Sequence, residues 1–183
     1  LMPHLIDTDR LSLHLIEVQD LITLFEDLEN QSIYLEKPFR NPHRVLIDNP
    51  GPLAWRVPQV KVDPALNIWF VRWIVLKATN EIIGSISFHG KPDESGMIEI
   101  GLGIASEFQG KGFGSEALDG MWRWVIAQKG VKTLRYTVSP ENLASITLIK
   151  KFGFQHIGQQ LDEEDGPEEI FEISTSDYCG VKR

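Results

Sequence analysis

The stretch Gln109-Gly-Lys-Gly-Phe-Gly-Ser115 decides how this chain is read. It follows Met97 to Ile104, a run with strand character. It opens a segment in which Phe113, Ala117, Leu118, Met121, Trp122, Val125 and Ile126 fall on one face of a helix ending near Gly130. Glycines at 110, 112 and 114 let the backbone take unusual φ values and expose its N–H groups. A helix N-terminus adds unpaired N–H donors and about half a positive charge. Together they make an anion site suited to a phosphate or pyrophosphate. Lys111 adds its charge, and from Gln109 to Arg135 five bases face two acids. A turn that needs glycine only to bend is the plainer alternative, but three glycines and a lysine exceed what bending requires. The nucleotide-binding pattern GxxxxGK[ST] is absent. The dinucleotide pattern GxGxxG fails because Ser115 stands where its third glycine would fall.

Outward from that turn, the apolar runs Ile68 to Leu76, Ile82 to His89 and Met97 to Ile104 are separated by short polar turns, which predicts an antiparallel meander. Upstream, Arg10 to Leu15 alternates like a short strand and Glu17 to Leu28 carries a helical stripe. Six of the ten prolines fall between Ser32 and Asn67. Proline blocks regular elements, so this segment reads as a long surface excursion with at most short helices, of the kind that serves as a lid or binding loop. Downstream, Thr133 to Val138 reads as a strand. Ser139-Pro140 reads as a helix start, with a stop at Gly153. Phe154 to Gln160 and Glu168 to Ser174 read as two last strands joined by an acidic turn. The order β-α-loop-β-β-β-α-β-α-β-β predicts an α+β, mixed α/β fold with about seven strands in a mostly antiparallel sheet flanked by helices. One domain is expected over 2–175, beginning at Met2 as the natural start, with 176–183 as a C-terminal tail.

The chain has 183 residues, 42% hydrophobic and 24% charged, with a formal net charge of −8. This excludes a disordered or collagen-like chain and argues against a broad nucleic-acid surface, which needs clustered Lys and Arg. Seven acids and no base lie between Asp162 and Glu172, so the acidity is local, and it reads as a solvated hairpin rather than a cation-recruiting patch. The one cysteine, Cys179, excludes an internal disulfide and cysteine zinc fingers and reads as a bystander. No apolar run approaches the ~20 residues that span a bilayer, and no signal peptide is legible. The expectation is a cytoplasmic enzyme with no metal, no membrane partner and no nucleic-acid partner.

Gln109-x-x-Gly112-x-Gly114 resembles the acetyl-CoA signature (Q/R)xxGx(G/A) of the GNAT acetyltransferases. The stretch from Glu99 to Leu118 resembles the branch that includes the ribosomal-protein N-terminal (RimJ/RimL-type) acetyltransferases. A second family block stands at Asn142-Leu-Ala-Ser145, ending Lys151-Phe-Gly-Phe154. The resemblance is specific from about Gly84 to Phe154, and it implies acetyl-CoA as cosubstrate. It implies a pyrophosphate held at Gln109, Gly110, Lys111, Gly112, Phe113, Gly114 and Ser115. It implies a pantetheine arm along Leu102, Gly103 and Ile104 and held by Asn142. Gly101 and Gly103 flank Leu102, and glycine in a strand marks a bulge or a close backbone approach. A backbone N–H around Leu102 is the candidate oxyanion donor.

The acceptor this implies is a primary amine, either a protein N-terminus or a small molecule. A lysine amine is neutral only about one part in 2,500 at pH 7, whereas an α-amine with a pKa of about 7.7–8.0 needs only a weak base. Glu99, three residues before Leu102, is the first candidate base, with pairing to a neighbouring cation as its plainer role. His89 is the second candidate. Relatives often carry a tyrosine seven residues after the block's asparagine, where this chain has Ile149. Ser145 is the substitute donor to the leaving thiolate that the branch suggests, or else an ordinary early-helix serine. The branch also commonly has an aromatic where this chain has Leu102. Trp69, Phe70 and Trp73 line an acceptor pocket or belong to the core. The alternative to an enzyme is a non-catalytic acyl-CoA sensor. The oligomeric state is not legible, and a homodimer stays open.

Overall fold

The computed structural model describes residues 5–180, so Met2 and the last three residues lie outside the described residues. Its elements are β1 (Leu5–Asp7), β2 (Leu11–Leu15), α1 (Val18–Glu26), α2 (Gly51–Val62), β3 (Arg72–Leu76), β4 (Glu81–Phe88), β5 (Met97–Ile104), α3 (Phe113–Ile126), β6 (Thr133–Val138), α4 (Leu143–Lys151), β7 (Gln155–Asp162) and β8 (Gly166–Ser174). Among the described residues eight strands form one sheet, ordered β1-β2-β3-β4-β5-β6-β8-β7. Every neighbouring pair is antiparallel except β5–β6, which is parallel.

Both faces of the sheet are covered, which explains the nearly unbroken apolar runs of β3 and β4. On one face Ile74, Ile86, Ile98 and Ile100 pack with Ala117, Leu118, Met121, Trp122 and Val125 of α3. On the other, Val71, Trp73, Val75 and Ile82 pack with Leu21 and Leu24 of α1 and with Leu53, Val57 and Val60 of α2. The expected stripe of α3 is buried except for Ile126, which is only partly covered. Tyr178, in the segment expected as a tail, is buried against Trp122 and donates a 2.6 Å hydrogen bond to Asp119.

Four local expectations need correction. An extra strand, β1, precedes the first expected one. Pro64–Trp69 is a 3-10 turn, so the third strand starts at Arg72 rather than Ile68. The fourth helix starts at Leu143 and is capped by Asn142, whose Oδ1 accepts the Ser145 N–H at 3.1 Å; Ser139 and Pro140 form the turn before it. The largest correction is α2, a twelve-residue helix inside the proline-rich excursion. Pro52 sits in its first turn, where the missing N–H costs nothing, and Pro58 is on the exposed side. Leu53, Val57 and Val60 keep the helical spacing and are buried. Burial of that stripe overrides the local cost of proline.

Candidate active site

The parallel ladder between β5 and β6 ends at Ile100 and Tyr136, while β5 runs on to Ile104. The β4 side of β5 takes the odd-numbered residues: His89 N–H donates to Glu99 O and Ala105 N–H to Ile83 O, at 2.9 and 2.8 Å. The main-chain groups of Leu102 and Ile104 therefore face the opposite edge, beyond the end of the ladder. The β4–β5 register runs without a shift, so the glycines mark no bulge. The odd-numbered face of β5 carries Glu99, Gly101 and Gly103, and a Cβ on Gly103 would meet open space. The even-numbered side chains go the other way: a Cβ on Gly114 of α3 would touch Leu102 and Ile104 at ordinary distances of 3.6 and 3.8 Å. Bare glycine at 103 thus leaves the floor of the cleft open along a free strand edge, while His89 Nε2 covers Gly101, 2.8 Å from where a Cβ would stand.

At the end of that edge stands the turn into α3. Gln109 Nε2 donates to Ile104 O at 2.9 Å and so ties turn to strand. Gly110 and Gly112 take φ of +74° and +82°, left-handed values that favour glycine. Gly114 lies within the helix and needs no such freedom, so two glycines rather than three carry the expected unusual φ. The first helical bond runs from Glu116 N–H to Gly112 O, so the amides of Phe113, Gly114 and Ser115 precede the ladder and have no intrahelical acceptor. Arg10, unflagged by any local pattern, braces the turn. It bonds Lys111 O at 3.1 Å and Glu116 at 2.7 Å and lies 4.2 Å from the Phe113 ring centroid. Burial pushes the Glu116 carboxyl up, but Thr8 and Arg10 outweigh it and hold the group below its ordinary range.

The free edge borders a cleft of about 840 Å³. Its floor includes Ser85, Ser87, His89, Glu99 and Gly101 to Ile104. One wall is α2 with the loop before it, including His43, Trp55 and Arg56. The other includes Thr137 of β6 and Asp162, Glu164, Asp165 and Glu168 of the β7–β8 hairpin. The acids of the solvated hairpin thus also line the cleft. Trp73 and Phe70 are buried in the core, and Trp69 packs on Trp124; none of the three lines this cleft. Trp55, from the proline-rich segment, is the aromatic that does.

Glu99 Oε2 lies 3.2 Å from His89 Nδ1 and accepts the Thr137 hydroxyl at 2.9 Å. Burial raises its carboxyl, but the His89 and Thr137 hydrogen bonds and the charge of Arg135 outweigh this and hold it below the ordinary range. Glu99 is therefore a carboxylate at neutral pH and a weak base. Both base candidates thus stand together. Asn142 and Ser145 lie at the start of α4, outside the cleft lining. The Ser145 side chain stands beside the Tyr136 phenol, whose pKa burial raises and Ser145 draws part of the way back. Nothing in the local sequence pattern sets Tyr136 apart from a core residue. Ile149, in the place of the family tyrosine, is fully buried.

A sequence profile described as an acetyltransferase (GNAT) domain matches residues 10–155. The chain belongs to the GNAT acetyltransferase family. It is 36% identical over 86 residues to the uncharacterized N-acetyltransferase YjdG of Bacillus subtilis (strain 168), covering 46% of this chain and 51% of that one. It is 31% identical over 100 residues to the uncharacterized N-acetyltransferase p20 of Bacillus licheniformis, covering 55% and 56%. The chain thus spans about half the length of these two curated relatives. In fold it is similar to the ribosomal-protein-S5-alanine acetyltransferase from Vibrio fischeri, with a TM-score of 0.66 and 19% identity over 95% of this chain and 98% of that one.

The GNAT fold implies acetyl-CoA, and the residues fit it. A strand edge free at Leu102 and at the Ile104 N–H, the Ile104 carbonyl being held by Gln109, offers pairing to an amide-bearing arm. Unpaired amides at the start of α3 offer donors to a diphosphate. Among the described residues no helix is long and apolar enough to cross a membrane.

Proposed function

We propose that this GNAT domain transfers an acetyl group from acetyl-CoA to a primary amine by direct attack in a ternary complex. The observation that carries the proposal is the free edge of β5 leading into the left-handed glycine turn, with Glu99 on the open floor beside it. Acetyl-CoA supplies the acyl group as a thioester. Gln109 to Ser115 hold its diphosphate, and the edge from Leu102 to Ile104 pairs with the pantetheine arm. Leu102 N–H is the donor available to the acyl oxygen, a contact whose loss costs about 2.7–4 kcal/mol in comparable sites. Glu99 takes the proton from the amine, directly or through water, and His89 at 3.2 Å offers it a way out. A base held below its ordinary range suits an α-amine better than a lysine-like amine. Ser145, backed by Tyr136, donates to the leaving thiolate. Asn142 offers its amide N–H₂ to the arm while its oxygen caps α4. The same reading places the protein in the cytoplasm, acting on a protein N-terminus or a small amine, as a monomer or a homodimer.

Acetyl-CoA consumption against N-terminal peptides, polyamines, aminoglycosides and amino acids tests this. Glu99→Gln is expected to lower kcat by about a hundredfold or more with little change in acetyl-CoA affinity. Ser145→Ala is expected to lower it less. Tight acetyl-CoA binding with no turnover on any amine would leave the acyl-CoA sensor as the reading, which the buried Ile149 at the tyrosine position favours.

A further inference from the structure

Arg56 stands on α2 between the buried stripe and the cleft, and it lines the cleft. Its Nε is buried and has no hydrogen-bond partner among the described residues. Other arginines nearby are held. Arg44, on the same wall, pairs with Glu29 and Asp48 at 2.6 and 2.8 Å. Arg10 pairs with Glu116 and Arg135 with Glu172. The Arg56 guanidinium instead lies 5.6 Å from the centroid of the Phe70 ring, an apolar platform. Burial draws its pKa down to about 10, against which the charge of Glu99 works, so it stays charged at neutral pH. A partly buried cation with no anion in contact is costly to keep unless something binds there.

The cleft is therefore bipolar. Glu99 and the hairpin acids attract the amine end of an acceptor, and Arg56 lines the same cleft from α2 with no hydrogen bond or ion pair on its guanidinium among the described residues. A guanidinium fork matches a carboxylate. The surrounding acids disfavour a second negative charge, which argues for a monoanion over a phosphate. We propose that Arg56 is a specificity determinant, and that the cleft takes a primary amine that also carries a carboxylate, as in a peptide beginning with Asp. This rests on the acetyl-transfer reading and adds the substrate class to it.

The test compares Asp-Ala-amide with its near-isostere Asn-Ala-amide, and with spermidine, in two measurements. The first is kcat/KM for acetyl transfer. The second is calorimetric binding to the protein loaded with coenzyme A, which involves no transfer. Wild type is expected to favour the Asp peptide about tenfold or more in both. Arg56→Gln should bring that ratio to about one, and Arg56→Lys should keep part of it. Melting curves show whether each variant is folded, and if Arg56→Gln is not, Arg56→Lys and the wild-type ratio decide. Equal or better use of the Asn peptide or spermidine by wild type overturns the proposal, as does an Asp preference that survives Arg56→Gln. If no amine is acetylated but the Asp peptide still binds tenfold better through Arg56, the transfer reading falls and the Arg56 assignment stands.

Discussion

In the proposed reading, the cofactor side of the cleft, β5 with the turn into α3, recognises with main-chain amides. In the same reading, the acceptor side, α2 with the β7–β8 hairpin, recognises with side chains. The first needs only glycine, a strand that outruns its neighbour and a helix start. The glycines, the strand end and the helix start lie between Glu99 and Ser115, and only the neighbour it outruns, β6, comes from elsewhere in the chain. The second gathers Arg56, Trp55, Glu99, Asp162 and Glu168 from positions more than a hundred residues apart. A main-chain site is hard to alter by exchanging side chains, whereas a side-chain site is easy to retune. One wall can thus stay constant while the other sets the acceptor.

The sharpest way to break this contrast is to loosen one wall alone. Leu53 is fully buried beneath α2, and Leu53→Ala is expected to cost about 2–5 kcal/mol in chemical denaturation. KM for the amine should rise in the folded variant, while calorimetric affinity for acetyl-CoA stays near wild type. A parallel loss of cofactor affinity would mean that the walls are one unit. The converse change is Gly112→Ala. At φ +82° an L-residue is strained by about 1–2 kcal/mol, while its Cβ would only touch the Arg10 guanidinium at 3.4 Å. Acetyl-CoA affinity should fall about tenfold by calorimetry, with KM for the amine little changed.

The smallest expected effect is in pH. The Glu116 carboxyl is lowered from its ordinary value of 4.5 by Thr8 and Arg10 acting against burial. A carboxylate lowered in the folded state stabilises above its unfolded pKa, and that stabilisation is lost as pH falls through the folded value. The melting temperature of wild type should therefore drop as pH falls below about 4.5. Glu116→Gln should start lower and show a shallower drop over the same window. An unchanged slope would show that the brace on the cofactor turn contributes nothing to acid stability.

Much of the cofactor wall is legible in the sequence. The helical spacing of Phe113, Ala117, Leu118, Met121 and Trp122 is strong, and each is buried where the period puts it. The meander is legible because its connections are short and polar. α2 is not, because Pro50, Pro52 and Pro58 mask the spacing of Leu53, Val57 and Val60. A reading by local propensity counts the prolines and discounts the stripe. β1, at three residues, is too short for any period to register. Arg10 and Tyr136 carry no signal at all, since their importance lies in what stands beside them.

By itself, then, the order of residues determined the glycine turn, the helix it opens and the meander before it, because backbone conformation and apolar period are properties of adjacent positions. Only the folded chain decided where β6 leaves β5, that Glu99 meets His89 and Thr137, and that Arg56 stands unpaired in one cleft with the acidic hairpin. Those are relations between segments, and they exist only once burial of both sheet faces has brought the segments together.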